Sequence, residues 1–259
     1  MSARAASDVR GADPSDGADW LTEREMSLLR TIRSDEAPAL ASATDALMRT
    51  IEAGGVIHVA ATGHGLALVL EAFHRAGGLA CVSPIWEPRF LPISGAREAT
   101  AAERTVGLGG PLAEGAAIEA RDSLIAFSQS GANVVPIEVA AAARSAGATV
   151  IVVTSREHGT AVPTRDPAGR RLADLADIVI DTHVPAGDAV FRADPAGPTV
   201  AALSTIAGAH VWNLLLVGLA ERSRAKGVEL PVWISSSMPG GDERNAELIA
   251  RYANRVSAL

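Results

Sequence analysis

Twice in this chain a short apolar run ends in a polar turn that contains glycine, and each turn leads directly into a segment with helical periodicity. The first run, residues 56–61, precedes Thr62-Gly63-His64-Gly65, and the second, residues 123–127, precedes Ser128-Gln129-Ser130-Gly131. Near-continuous apolar strands that alternate with helices are typical of a parallel sheet covered on both faces. The repeat therefore predicts an α/β fold.

Other segments continue this alternation. Strands are predicted at residues 56–61, 79–85, 123–127, 149–154 and 177–181. Helices are predicted at residues 21–33, 66–76, 133–146, 172–176 and 243–256, with one more between Ser34 or Asp35 and Gly54 and a long one around His210. Residues 155–170 are predicted to form a polar loop. The pattern favours a five-stranded parallel sheet with helices on both faces.

No linker divides the 259 residues, so we expect one α/β domain preceded by a short extension. The expected parts are a flexible leader over residues 1–19, a helical arm over residues 20–55, and the main domain with its C-terminal helices over residues 56–259. The arm carries an apolar stripe, Leu28, Leu29 and Ile32, which has no obvious partner in a covered sheet. We predict that this stripe packs across a twofold axis between two copies.

Charge and cysteine content exclude several classes of protein. Asp and Glu outnumber Lys and Arg by 30 to 23, giving a net charge of −7, whereas a protein that binds nucleic acid through phosphate contacts normally presents a basic face. A single cysteine permits neither an internal disulfide nor a cage of thiolate metal ligands. We expect no nucleic-acid partner and a reducing, cytoplasmic location.

One segment requires a test for membrane insertion. Residues 199–220 contain no formal charge and are long enough to span a bilayer. The polar side chains of Ser204, Thr205, His210 and Asn213 lie along the middle of this segment, and isolated polar groups are costly in hydrocarbon. We therefore predict a helix that is buried or faces another subunit, in a soluble protein.

The two glycine turns are the best candidates for a binding site. In open parallel sheets, ligands bind beyond the carboxyl ends of the strands, and the free N–H groups of a helix N-terminus favour an anion. Ser128 and Ser130 are spaced two apart and are followed by Gly131, which lets a backbone approach closely. This loop predicts a phosphate cradle; the alternative is that both serines only cap the following helix.

Three common motifs fail in detail. A dinucleotide fingerprint beginning at Gly63 would need a small residue where Leu68 stands. A nucleotide-binding P-loop needs Gly-Lys, but the only lysine is Lys226. A nucleophile elbow needs glycine on both sides of its serine, and neither Ser128 nor Ser130 has this pattern. We therefore expect no nucleotide cofactor.

Several passages together resemble one known family. They are Ala61–His64, Phe127–Gly131, Glu71–Gly78, Pro136–Glu138, Thr154–His158 and Leu172–Asp177 with Gly187-Asp188. From about Leu21 to its end, the chain resembles the SIS (sugar isomerase) phosphosugar-binding domains, in a branch related to phosphoheptose isomerase. The resemblance implies a three-layer α/β/α sandwich of the Rossmann-like, flavodoxin type, assembled as a dimer or tetramer with its sites near subunit interfaces.

The resemblance also implies that the loops at the strand ends bind the phosphate of a phosphorylated sugar. The residues so assigned are Thr62, Gly63, Gly65, Ser128, Gln129, Ser130, Gly131, Asn133, Thr154 and Ser155. One departure affects the first loop. The family usually has a serine where this chain has Gly65, so one hydroxyl of the expected anion site is missing.

Four side chains are candidates for moving a proton, which aldose–ketose isomerisation requires. His64 lies in the first loop, although it could be a turn residue that bonds a carbonyl. Glu71 lies two turns into the first helix, where it could instead pair with Arg75 at i+4. Glu103 follows the second strand, in roughly the region where related sugar-acid etherases carry an essential acid.

His210 is the fourth candidate. Residues 206–210 align with a phosphoheptose isomerase motif that ends in a catalytic histidine, but they lack the polar residues of that motif. The alternative is that His210 is a buried histidine at a helix contact. Glu71 stands where those enzymes have a metal-ligand histidine, so no metal is expected. Asp181, His183 and Asp188 are more simply a polar strand end than a metal site.

Three functions follow from the resemblance. The first is an aldose–ketose isomerase of a sugar phosphate. The second is a lyase or etherase that acts on a phosphorylated amino-sugar lactyl ether such as N-acetylmuramate 6-phosphate. The third is a non-catalytic phosphosugar sensor that acts through protein contacts, since the N-terminal segment lacks both the length and the basic face of a DNA-binding module.

Overall fold

The structure is a computed structural model that describes residues 16–259, and every structural statement below refers to this range. Within it, five parallel strands form the central sheet: β1 (Ile57–Ala60), β2 (Val82–Ile85), β3 (Ser123–Phe127), β4 (Thr149–Thr154) and β5 (Ile178–Asp181). They are ordered β2-β1-β3-β4-β5. This is the flavodoxin-type strand order, and it confirms the predicted fold class.

Helices cover both faces of the sheet. They are α1 (Gly17–Asp35), α2 (Ala37–Glu52), α3 (Leu66–Ala72), α4 (Ala96–Ala102), α5 (Gly109–Gly115), α6 (Val134–Ser145), α7 (Arg156–Ala161), α8 (Ser204–Lys226) and α9 (Gly241–Tyr252). A small antiparallel hairpin, β6 (Ala189–Phe191) and β7 (Val200–Ala202), precedes α8. The helices α4, α5 and α7 and this hairpin were not predicted from the sequence.

Each strand contributes side chains to two cores, because successive side chains of a strand point to opposite faces of the sheet. Ile125 and Ile151 belong to the larger core, which α1, α2, α3, α8 and α9 complete. Leu124 and Val150 face the opposite side and pack against α5 and α6. Burial on both faces explains why these strands are apolar without interruption.

The apolar stripe of the arm has a partner within the chain, so the expectation that it lacks one is wrong. Leu28 and Ile32 are buried in the larger core, and Leu29 packs against it. Glu36, at the junction of α1 and α2, accepts a hydrogen bond from the Asp181 amide at 3.1 Å and lies 3.0 Å from His183 Nε2. The arm is thereby fixed to the end of β5, so a twofold axis is not needed to bury the stripe.

The expected leader falls almost wholly on residues 1–15, outside the described residues, and α1 already begins at Gly17. The start of α2 also differs from the prediction, which placed it at Ser34 or Asp35. Because α1 continues through Asp35, the N-cap of α2 is Glu36. No helix among residues 16–259 is long and apolar enough to cross a membrane.

A buried polar cluster at the amino-terminal edge of the sheet connects β1, β3 and the C-terminal segment. The Asp122 carboxylate lies 3.2 Å from His58 Nε2 and accepts hydrogen bonds from the amides of Val56 and Glu119 and from Arg255. His58 and Asp122 are fully buried. Burial alone would raise the pKa of the Asp122 carboxyl, but the His58 ring and the two amides hold that pKa below its usual value.

We expect Asp122→Asn to lower the free energy of unfolding by about 3 kcal/mol, because a buried amide NH₂ would face several N–H donors. Asp177→Asn is the matched control: Asp177 also accepts a strand amide, that of Val150, but is half exposed. We expect a loss below about 1 kcal/mol there.

The loss should depend on pH, because the native pKa of Asp122 is below its unfolded value of about 3.9. The stabilisation is complete above that value and disappears as the pH falls through the native pKa. Urea unfolding at pH 7 and pH 3 measures both effects. Equal losses in the two variants at pH 7 would contradict the role of the buried cluster.

Candidate functional site

A cavity of about 480 Å³ opens at the carboxyl edge of the sheet. Its wall is formed by the loops after β1, β3, β4 and β5 and by the start of α8. The lining residues are Thr62, His64, Gly65, Leu68, Glu103, Phe127, Ser128, Gln129, Ser130, Asn133, Val153, His158, Thr182, Asp188, Ala202, Ser204, Thr205 and Gly208. Eight predicted site residues thus share one cavity: Thr62, His64, Gly65, Glu103, Ser128, Gln129, Ser130 and Asn133.

The loop after β3 carries two serine hydroxyl groups that each accept a backbone amide and can donate a proton to a ligand. Ser128 Oγ accepts the Gly131 amide at 3.1 Å, and Ser130 Oγ accepts the Ala132 amide at 3.3 Å. Each serine oxygen is thus occupied as an acceptor, which leaves its proton for a group in the cavity. Asn133, the N-cap of α6, completes the loop. The loop is suited to an oxygen-rich anion.

The amino end of α6 offers few free amides of its own. The Val135 amide donates to the Glu103 carbonyl at 3.3 Å, and Pro136, in the same turn, has no N–H. An anion at this end would therefore rely on the hydroxyls of Ser128 and Ser130 more than on the helix.

Glu103 enters the cavity from the end of α4. Thr62 Oγ1 donates to Glu103 Oε2 at 2.9 Å, which fixes the carboxylate beside the first glycine turn. Gly63 has a positive φ of 58°, and a Cβ there would lie 3.2 Å from Glu103 Oε2. The turn therefore requires glycine both for its backbone and for the approach of this carboxylate.

The opposite wall contains polar residues that sequence reasoning missed as site residues. The expected loop over residues 155–170 begins instead with α7, which Ser155 caps by accepting the His158 amide at 3.0 Å. His158 Nδ1 accepts the Gly187 amide at 3.3 Å. This contact places the histidine in the cavity wall next to Asp188.

Asp188 accepts the hydrogen bonds of the free backbone amides at the start of α8. Its carboxylate accepts the amides of Leu203 at 3.0 Å and Ser204 at 2.8 Å, together with the Ser204 hydroxyl at 2.6 Å. Asp188 has a positive φ of 69°, so the turn is strained to bring the carboxylate there. The positive end of the α8 dipole is neutralised within the protein.

Four predicted phosphate residues lie behind the cavity wall. Gly63 and Gly131 both have positive φ and shape the two turns. Thr154 Oγ1 donates to the Gln129 carbonyl at 3.3 Å, and Ser155 Oγ donates to the Val184 carbonyl at 2.6 Å. Ser155 is completely buried. The hydroxyls of Thr154 and Ser155 thus support the loops instead of facing the cavity.

Two predicted proton-transfer residues are not brought to the cavity. Glu71, in the last turn of α3, forms an ion pair with Arg75 in the loop that follows this helix. His210 faces α1, near the Leu29 backbone. Burial lowers the pKa of the His210 ring, and the Leu29 carbonyl only partly offsets this effect. Both residues adopt the structural alternatives that their sequence positions allowed.

The charge of the cavity wall is unusual for an anion site. Among the residues the structure describes, no arginine or lysine lines it, whereas Glu103 and Asp188 do. Within the same range, no three His, Cys, Asp or Glu side chains are grouped closely enough to hold a metal ion. An anion here would be bound by hydroxyl and amide donors.

One signal could have identified the missed residues. His158, Thr182 and Asp188 all follow strands whose carboxyl ends meet at this edge. The same reasoning that selected the loops after β1 and β3 applies to the loops after β4 and β5. Ser204 and Thr205 carried a weaker signal, because the N-terminus of α8 had not been located.

Comparisons with known proteins agree with this architecture. A family model of the SIS domain matches residues 22–155. The UPF0309 protein of Geobacillus thermodenitrificans is 33% identical over 231 residues, which cover 89% of this chain and 93% of the relative. The UPF0309 protein of Brucella anthropi is 36% identical over 231 residues, with the same coverage of 89% and 93%.

A solved structure shares the fold at low sequence identity. A phosphoheptose isomerase from Neisseria gonorrhoeae superposes with a TM-score of 0.52 at 14% identity, covering 80% of this chain and all of the solved chain. At this identity, the likeness concerns the fold alone. The matches to the family model and to the full-length relatives show that the chain belongs to the SIS-domain family and to its UPF0309 relatives.

Proposed function

We propose that the cavity binds a phosphorylated sugar and that the protein interconverts its aldose and ketose forms. One observation carries the proposal: the hydroxyls of Ser128 and Ser130, which accept backbone amides and keep their protons to donate, share a cavity with the fixed carboxylate of Glu103. Membership of the SIS-domain family supports the same ligand class.

The phosphate would bind to the loop after β3. Ser128 and Ser130 donate their hydroxyl protons to its oxygens, and hydrogen bonds to a charged acceptor are stronger than neutral ones. Gly65 supplies no hydroxyl to this phosphate, and a Cβ at this position would lie 3.2 Å from the Cβ of Ala61. The cavity volume of about 480 Å³ is in the range of small-molecule sites.

Glu103 would act as the base that moves a proton between the two carbons of the isomerised unit. The Thr62 hydroxyl holds its carboxylate in one orientation, which reduces the reorganisation needed in the reaction. His64 is exposed at the same edge and would exchange protons with the sugar oxygens. Glu71 and His210 lie outside the cavity and have no assigned step.

A lyase is the second candidate, because Glu103 follows β2 and lies in the cavity wall. A carboxylate in this place could also remove the proton beside the carbonyl of the open-chain sugar, so that the C–O bond of the neighbouring ether carbon breaks and lactate leaves. A sensor would bind the same ligands without turnover. Deuterium incorporation from D₂O into the sugar, release of lactate, or neither, distinguishes the three functions.

Phosphorylated sugars should raise the melting temperature, whereas the matching unphosphorylated sugars should not. A ligand at a hundred times its Kd adds about 2.7 kcal/mol of stability, which corresponds to roughly 5–10 °C in a domain of this size. Thermal unfolding against a panel of sugar pairs measures the shift. If neither inorganic phosphate nor any phosphorylated sugar raised the melting temperature, the proposal would be contradicted.

Ser128→Ala and Ser130→Ala should each weaken phosphosugar binding by roughly 10- to 100-fold, because each removes one hydrogen bond to a charged group. Ser145→Ala is the matched control on the exposed end of α6, where the hydroxyl donates only to Ala141. Calorimetric titration gives the affinities. Unchanged affinity in both loop variants would place the phosphate elsewhere.

Glu103→Gln should lower turnover by about 10²- to 10⁴-fold while leaving phosphosugar affinity within a few-fold. Glu71→Gln tests a glutamate of the same chemistry that pairs with Arg75 outside the cavity, and should keep turnover. Proton exchange with D₂O, followed by NMR, reports both. If Glu71→Gln abolished exchange and Glu103→Gln did not, the assignment of the base would be wrong.

We also propose that the protein is a cytoplasmic dimer or tetramer. The outward face of α8 supports self-association, since Ile206 and Val217 are exposed on a helix that has no charge before Glu221. The single cysteine, Cys81, is buried, which suits a reducing compartment. Light scattering at micromolar concentration should give at least twice the 26.6 kDa chain mass; a monomer would contradict the oligomer.

A further inference from the structure

We infer that His158 is a substrate-contacting residue whose Nε2–H donates to an oxygen on the sugar part of the ligand, not to its phosphate. The inference rests on the proposed phosphosugar function and extends it to a residue with no role so far. It follows from the ring's tautomer, from the orientation of the ligand in the cavity, and from the way the wall around His158 is held.

The tautomer follows from the backbone. Nδ1 of His158 accepts the Gly187 amide at 3.3 Å, so its lone pair is occupied and the proton of a neutral ring resides on Nε2. His158 lines the cavity and is half-buried. The ring therefore presents a fixed hydrogen-bond donor to a ligand in the cavity.

The orientation of the ligand follows from the two helix N-termini that flank the cavity. The start of α8 is already occupied by the Asp188 carboxylate, which accepts two amides and the Ser204 hydroxyl. A phosphate placed there would meet a carboxylate at short range. The loop with Ser128 and Ser130 has its hydroxyl protons available, so the phosphate belongs there and the sugar extends toward α8.

The His158 ring contacts the loop that leads to α8, whereas the next residue, Gly159, lies close to the Ser130 carbonyl. The ring bonds Gly187, the residue directly before Asp188. The sugar hydroxyls and carbonyl would thus meet Nε2–H of His158 together with Thr205 at the start of α8. A single N–H donor suits uncharged sugar oxygens, which need orientation more than charge.

The loop that carries Asp188 does not depend on His158 alone. Ser155 Oγ donates to the Val184 carbonyl at 2.6 Å, and Glu157 Oε1 accepts the Ala186 amide at 3.1 Å. A change at His158 can therefore remove one contact without releasing the loop. The role of the ring as a ligand donor is separable from its role as a loop acceptor.

Two substitutions separate these roles. His158→Asn places an acceptor near the position of Nδ1 but has no group at Nε2, whereas His158→Gln places an amide donor near Nε2 and loses the acceptor for Gly187. Glu157→Ala is the control for a loosened loop, because Glu157 holds Ala186 and lies outside the cavity. Calorimetry would measure binding of inorganic phosphate and of the sugar phosphate that most stabilises the wild type.

We expect His158→Asn to weaken sugar phosphate binding about tenfold and to leave inorganic phosphate binding within twofold. His158→Gln should retain more sugar phosphate affinity than His158→Asn, and Glu157→Ala should remain within about threefold of the wild type. Melting temperatures without ligand verify that each variant is folded.

Several results would overturn the inference. If His158→Asn bound both ligands as the wild type does, the ring would not contact the ligand. An equal loss for both ligands would make His158 a phosphate ligand, and a larger loss in His158→Gln or Glu157→Ala would reduce it to a loop support. A wild-type protein that bound no sugar phosphate would contradict the proposed function itself, and the inference with it.

Discussion

The five strands run in one direction, and both faces of their sheet are buried, so every loop that follows a strand must emerge at the same edge. This constraint gathers residues that are distant in the chain. Thr62, Ser128, His158 and Asp188 follow four different strands, yet they line one cavity. The site therefore depends on the parallel sheet before it depends on any single residue.

The sequence was sufficient to predict the sheet and half of the site, because their signals are local. A β-branched or apolar run followed by a glycine turn identifies a strand end without knowledge of its neighbours, and Ser128 and Gly63 were found in this way. The short helices α4, α5 and α7 were missed because glycine and small or polar residues dominate them and leave no apolar period, whereas α3, which is of similar length, is rich in leucine. Their positions are set by contacts such as the Ser155 cap, which tertiary structure decides.

Residues whose role depends on where their side chain points in the folded protein were the least predictable from the sequence. Glu71 and Glu103 are the same amino acid near the end of a short helix, yet only Glu103 reaches the cavity, because Thr62 binds it and Gly63 leaves space for it. Likewise, the stripe of Leu28 and Ile32 indicated a partner without indicating which one. The partner proved to be the chain's own core.

The electrostatics of the cavity give it two unequal ends. At the N-terminus of α8, the Asp188 carboxylate accepts hydrogen bonds from the amide and the hydroxyl of Ser204, and the backbone of Asp188 is strained. At α6, Pro136 and the Glu103 carbonyl remove amides from the helix, and the serine hydroxyls become the main donors. Because no lysine or arginine among residues 16–259 lines the cavity, the site must distinguish the ends of its ligand by such hydrogen bonds. Because these bonds are directional, they select the orientation of a ligand more strictly than an unpaired cation would.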